Sequence, residues 1–387
     1  MKKLAVSLIA LSLAAACGKD DSSVGLDQGK LATFRKALPS ESMLAAKKPQ
    51  GSAQNAIGDP AMYPIEAGPI AIHINLAVVG MVNLMRAITD LEPTLYNSDT
   101  QEFLWGPWDN DNGFGTVAAY IKQQPEGADF RYVYALLRGV GNDLQTMKPV
   151  IWGGSNPDTT NPDFGNGITL WDFEANYEFA QANDPDFATQ PYDRGRFVAI
   201  YAQGADENEP TATATWVYAV FRNFIGKDDY VASADPFVEG ADLDYLYGRY
   251  LDTTGWNIDF LHFAFAMDAE TSTPALEDVS VKMAFLNSGW GRAEASANGG
   301  DLVAPEAYNV TECWDAALDR TFLNQVATDS EGNPYTAAEG VETSCGPDVN
   351  GTPLFANTLS ALGLPDLNDV DLGLKAALEN AAENGLQ

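Results

Sequence analysis

The sequence predicts a mainly β protein: a large antiparallel sheet curled into an open or closed barrel, with an N-terminal amphipathic helix and a short C-terminal helix. Three observations carry this. Between about residues 103 and 326 apolar and polar residues alternate with a period of two, the spacing that sends successive side chains to opposite faces of a strand. Turn chemistry punctuates the alternation, as at Gly141-Asn142-Asp143, Ser288-Gly289 and Asn298-Gly299-Gly300. No helical pattern long enough for a parallel crossover intervenes, which argues against a doubly wound fold or an α/β barrel.

Each element follows from its own pattern. Residues 17–60 are polar and rich in Gly, Ser, Asp and Lys, with scattered Leu31, Phe34, Leu38, Met43 and Leu44, and read as a flexible tether with room for one short helix around 31–46. From Ile70 to Leu91 apolar residues recur every three or four positions, the signature of an amphipathic helix, and His73, Asn75, Asn83 and Arg86 interrupt it too often for a membrane span. Strands are predicted at 115–122, 129–138, 167–180, 195–203, 211–224, 243–250, 256–268, 278–287, 290–297 and 308–325. In 167–180, Trp171, Phe173, Tyr177 and Phe179 alternate with Asp172, Glu174, Asn176 and Glu178. The strands at 211–224 and 256–268 are long enough to favour a curled sheet over a sandwich. The β domain is expected over 61–355 and a helical tail over 356–387, where Val370, Leu374, Ala377, Leu378 and Ala381 share a face.

Composition bounds the function classes. The 387 residues carry 22 Lys+Arg against 54 Asp+Glu, a net charge of −32, and are 45% apolar. That excludes a wholly disordered chain, a collagen-like fibre or a coiled coil, and the acidic balance argues against a nucleic-acid partner. The charge is uneven: residues 17–98 hold 7 basic and 8 acidic groups, residues 99–387 hold 13 and 46. The acids on alternate strand faces also disfavour a lipid-facing barrel.

At the N-terminus Lys2 and Lys3 precede the apolar run Leu4–Ala16, the n- and h-regions of an export signal over residues 1–16. The stretch Leu13-Ala14-Ala15-Ala16-Cys17 resembles the lipobox of bacterial lipoproteins. The resemblance implies cleavage before Cys17 and acylation of that cysteine. Gly18 and Lys19, with no aspartate directly after the cysteine, are similar to the residues of lipoproteins sent to the outer membrane, so the expected partner is a membrane reached through the lipid. Gly291-Arg292-Ala293, Gly299-Gly300-Asp301-Leu302 and Glu312-Cys313-Trp314-Asp315 weakly resemble uncharacterised envelope lipoproteins, which implies no activity. With Cys17 lipidated, Cys313 and Cys345 remain as an even pair in an oxidising compartment, which favours a disulfide between them.

Catalytic signatures are sparse. Two histidines, His73 and His262, leave no multi-histidine zinc site, and any Ser/His/Asp triad has to use one of them. There is no Gly-x-Ser-x-Gly elbow, phosphate-cradling loop or nucleotide fingerprint. Carboxylate pairs such as Asp172/Glu174 or Asp242/Asp244 arise readily among so many acids. Calcium is the one metal the composition suits: Asp109-Asn110-Asp111-Asn112-Gly113 starts like a calcium loop but has Phe114 and Tyr120 where glycine and a bidentate acid belong. The Asx-Pro-Asp runs at 156–158, 161–163 and 184–186 could supply hard oxygen ligands for calcium, but Asx and proline are also ordinary turn chemistry, which is the favoured reading.

Aromatic residues are dense between 103 and 224. A wide barrel leaves a cavity for an apolar ligand, with Trp171, Phe173, Tyr177 and Trp216 as its expected wall. The leading expectation is a non-enzymatic, lipid-anchored envelope protein that binds an apolar ligand or serves a structural role. A surface carbohydrate-binding or adhesion module, using Trp105 and Trp108 on an exposed rim, and a carboxylate-dependent hydrolase are the alternatives.

Overall fold

The computed structural model describes residues 28–47, 60–110, 113–161, 163–189, 192–206, 213–227, 241–251, 256–267, 276–300, 302, 308–328 and 334–384. Fifteen strands form one antiparallel meander. In chain order they are β1 (Leu95–Asn97), β2 (Glu102–Asp109), β3 (Thr116–Gln123), β4 (Tyr132–Gly139), β5 (Lys148–Pro157), β6 (Gly165–Asp172), β7 (Arg194–Ala205), β8 (Thr213–Ile225), β9 (Ala241–Leu251), β10 (Asn257–Met267), β11 (Glu277–Leu286), β12 (Gly291–Gly299), β13 (Tyr308–Trp314), β14 (Arg320–Thr328) and β15 (Pro334–Gly340). Each pairs with its sequence neighbours, so the sheet grows hairpin by hairpin, and among the described residues no pairing joins β1 to β15. The helices are α1 (Gln28–Arg35), α2 (Glu41–Leu44), α3 (Met62–Asp90), α4 (Phe173–Asn183) and α5 (Leu372–Asn384).

Both faces of the sheet are covered by the chain itself. Tyr132, Tyr134 and Leu136 of β4 join one core with α1, α2 and α3, whereas Val133, Ala135 and Leu137 join a second core with residues 354–382. Helix α3 contributes Ile74, Val78, Val82 and Met85 to the first, spaced as one helical face. Leu359, Leu364, Leu367, Val370 and Leu378 seal the second. Of the helical tail expected at 356–387, residues 359–382 supply the packing on the sheet and helix is confined to α5 and one short turn at Leu367–Asp369. Cys313 of β13 and Cys345 are disulfide-bonded with their Cα atoms 5.4 Å apart, both fully buried, which ties this C-terminal cover to the sheet.

Several expectations change. Of the segment read as a flexible tether, residues 28–47 are packed: Leu31, Phe34, Leu38, Met43 and Leu44 are each at most 3% exposed. Polar bonds hold this segment down. Arg35 donates to the carbonyls of Thr89, Asp90 and Leu91 at 2.6, 3.0 and 3.0 Å, satisfying the end of α3, and Asn75 exchanges two hydrogen bonds with the backbone of Ala46. Five scattered apolar residues make no periodic pattern, yet each finds a place once α3 is in position.

Helix α3 starts eight residues before the expected Ile70. Its first free amides, those of Met62 and Tyr63, donate to the two carboxylate oxygens of Glu312 on β13 at 3.0 and 2.9 Å, a cap that lies 250 residues away in the chain.

The strand expected at 167–180 ends at Asp172 and becomes α4. Asp172 Oδ1 accepts the Ala175 amide at 2.8 Å and Glu174 sits in the first turn, so an N-cap prevails over a period-two pattern. The expected strand 308–325 is two strands, turned at Asp315, whose Oδ1 accepts the amides of Ala317 and Asp319. Strands β1, β2, β5 and β15 were not expected. The run of β5, Lys-Pro-Val-Ile-Trp-Gly-Gly-Ser-Asn-Pro, shows no alternation because both of its faces are buried.

Candidate functional site

The four residues expected to wall one pocket do not share one. Trp171 and Phe173 lie in the first core, Trp171 with its ring 4.7 Å from Phe197 and 6.4 Å from Phe173, while Phe173 stands edge-on to Phe224 at 5.6 Å. Tyr177 sits half-buried on α4 beside Phe187, under the Arg194 guanidinium. Trp216 packs against the opposite face of the sheet. Trp105 is fully buried and donates its indole N–H to Leu91 O at 3.1 Å, so it is not a rim residue for stacking on sugars.

Carboxylates singled out above have local work. Asp172 caps α4 and pairs with Arg196 at 3.0 Å, and Glu174 pairs with Arg194 at 2.6 Å. Asp158 accepts from Thr160 N, Thr160 Oγ1 and Asn161 N, and these hydrogen bonds hold its carboxyl down at about 2. Among the described residues no three His, Cys, Asp or Glu side chains converge as a metal site. Cys17, Asp111 and Asn112 lie outside the described residues, as does the side chain of His73.

An open groove of about 410 Å³ lies where β8 to β12 end on the face covered by the C-terminal segment. Register explains its shape. Ala264 of β10 stands between Asp244 of β9 and Ser280 of β11, and Ala266 stands opposite Asp278, which is itself opposite Asn298 of β12. Two methyl groups on the middle strand therefore form a trough floor between longer polar side chains on its neighbours. Arg222 of β8 closes one side, ion-paired to Asp244 at 2.7 Å and to Glu379 of α5 at 3.6 Å. Asp242 accepts the Asn223 amide at 2.8 Å.

His262 lies two residues along β10 from Ala264 and is hydrogen-bonded to Ser280 of the groove. Its Nδ1 accepts the Leu367 amide at 3.1 Å, so the neutral ring carries its proton on Nε2 and donates it to Ser280 Oγ at 2.8 Å. Burial pushes its pKa down to about 4. A histidine that donates to the serine cannot deprotonate it; with Asp366 nearby the trio has the residue types of a hydrolase triad and the wrong tautomer for one. No signal in the sequence isolates this groove, because its residues come from five strands. Comparison of the chain with protein-family models, with curated proteins and with solved structures finds no match.

Proposed function

We propose that the protein is a non-enzymatic binding scaffold of the bacterial envelope, anchored to the outer membrane through acylated Cys17, with the groove over β8 to β12 as its recognition surface. The observation that carries the binding part of this reading is that its own chain fills both sides of the sheet, so the volume expected for an apolar ligand at Trp171 and Phe173 is occupied by packed side chains. A groove that is open to a ligand lies over the ends of β8 to β12. The lipobox-like run at Leu13–Cys17 supports the anchor.

We further propose that the sheet curls into an open barrel around α3. The start of this helix is held by Glu312 on β13 and its end lies under Trp105 on β2. A curled sheet brings β13 and β2 to the two ends of this 29-residue helix, which spans about 43 Å.

Metabolic labelling with a clickable fatty acid tests the anchor: wild type takes the label and Cys17→Ser does not. Labelling of the serine variant refutes it. Native mass spectrometry of the protein purified from envelopes tests the binding role, which predicts a retained small molecule that Ala266→Leu releases.

A further inference from the structure

We infer that the protein rests on the bilayer to which Cys17 is anchored through one corner of its body, where α1 meets the end of α3 and β1, with Leu91 and Leu95 entering the lipid interface. This deepens the anchor reading above and rests on it. Leu91 is 52% and Leu95 43% exposed, two large apolar side chains in the short connection from α3 to β1. Hydrogen bonds hold the backbone of that connection to the body. Leu91 O accepts from the Trp105 indole at 3.1 Å and from Arg35 at 3.0 Å, and the Thr94 amide donates to Leu104 O at 2.8 Å. The two leucines are therefore displayed on a fixed corner.

Chain length brings the membrane to that corner. Ten residues separate Cys17 from Gln28, where α1 begins, and fully extended they reach no more than about 40 Å. From Gln28 the eight-residue α1 runs about 12 Å to Arg35, whose guanidinium lies against the last carbonyls of α3. An acyl chain on Cys17 thus keeps Leu91 and Leu95 close to the lipid. The same length discriminates against the other exposed apolar pair, Met62 and Ile65, which lie in the first turn of α3, about 43 Å from its end.

Charge selects the same face. Residues 17–98, which supply α1, α3 and β1, carry 7 basic and 8 acidic groups, whereas residues 99–387 carry 13 and 46. An anionic bilayer repels the acidic bulk of the chain and leaves the near-neutral corner as the part that approaches it. Lys30, its ammonium 4.9 Å from the centre of the Tyr96 ring, and Arg35 place two cations beside the leucines, against the acids Asp90 and Glu92.

Vesicle partition of the mature chain from Cys17, which contains every described residue, tests this. With Cys313 and Cys345 joined, Cys17 is the one cysteine left to take a tetradecyl maleimide, and a single chain of that length binds bilayers reversibly. Partition into vesicles of phosphatidylethanolamine and phosphatidylglycerol, read by sedimentation, is expected to fall about tenfold or more in the double variant Leu91→Asp/Leu95→Asp and to stay within about twofold of wild type in Ile65→Asp. Leu95→Trp, which adds an interfacial side chain, should strengthen it. Circular dichroism and the thermal midpoint establish that each variant folds, and if the double variant does not, Leu95→Asp and Leu95→Trp decide the matter. Unchanged partition in the folded leucine variants, or an equal loss in Ile65→Asp, overturns the inference. A leucine-dependent dimer seen by analytical ultracentrifugation without vesicles, together with unchanged partition, overturns it too and assigns the corner to a second copy of the chain. Because the alkyl chain is attached chemically, the two levels part. Metabolic labelling of Cys17 with leucine-independent partition keeps the anchor and removes the docked face, whereas absent labelling with leucine-dependent partition removes the anchor and keeps the corner as a membrane-binding surface.

Discussion

Tyr134 on β4 stands directly opposite Gly153 on β5, and its phenol ring occupies the space that a Cβ at 153 would need. The arrangement recurs with Tyr201 over Gly167, Phe260 over Gly248 and Trp314 over Gly291, each pair in direct cross-strand register. An aromatic ring laid on a strand glycine shields a backbone that has no side chain of its own and lets the sheet bend there.

Gly153→Ala is therefore expected to destabilise the fold by about 1–3 kcal/mol through overpacking against the Tyr134 ring. In a Tyr134→Leu background the same substitution should cost clearly less, because the atoms in the way belong to that side chain. Urea unfolding of the four proteins in the cycle measures the coupling. Equal costs in both backgrounds would show that the ring does not occupy the glycine's space.

Phe34→Ala tests whether the 28–47 segment belongs to the core. Phe34 is 1% exposed, with ring centroids 5.0 Å from Phe103 and 5.2 Å from Tyr132. Removing it should cost about 3–5 kcal/mol, whereas a change within about 0.5 kcal/mol would return this segment to the status of a tether.

Glu312 is fully buried, accepts two amides of α3 and bonds Arg320 Nε at 2.8 Å. Glu312→Ala leaves both helix amides without their acceptor and Arg320 with only Glu339, at 3.4 Å, and should cost about 3–5 kcal/mol. Limited proteolysis should then cut near residue 60 faster than in wild type, and an unchanged cutting rate would count against the cap holding α3 to β13.

His262 makes stability depend on pH. Its pKa is pushed from 6.5 to about 4 by burial, so between those values the unfolded chain binds a proton that the folded chain does not, and stability falls as pH drops through the window. The loss is on the order of 3 kcal/mol across the full range. Acidification also protonates some of the 54 carboxylates, so the readout is a difference: His262→Gln should lose less stability than wild type between pH 7 and pH 4.5. Parallel pH profiles for the two proteins would refute this.

Much of the sheet was readable because its strands carry their own address. The register of β10 with β11 follows the alternation of Phe260, His262 and Ala264 with Leu261, Phe263 and Phe265, a local property of the chain. Strand β5 carries no such signal because burial on both faces removes alternation, and the 28–47 segment carries none because burial there depends on a helix that comes later in the chain. The groove was unreadable for a related reason: Arg222, Asp244, Ala266 and Asp278 become neighbours through pairing between strands, and spacing along the chain does not encode it.

By itself the sequence determined the mainly β antiparallel class, the pairing of Cys313 with Cys345 as the favoured disulfide, and the apolar face of α3, all set by residues near one another or by cysteine parity. Tertiary structure decided what fills each face of the sheet. Glu312 caps a helix that begins 250 residues earlier, and Leu367 from the C-terminal segment fixes the tautomer of His262. Such contacts depend on which surfaces meet when the sheet and its covers close, and an unpaired buried amide or carboxylate costs enough that the chain settles where each finds its partner.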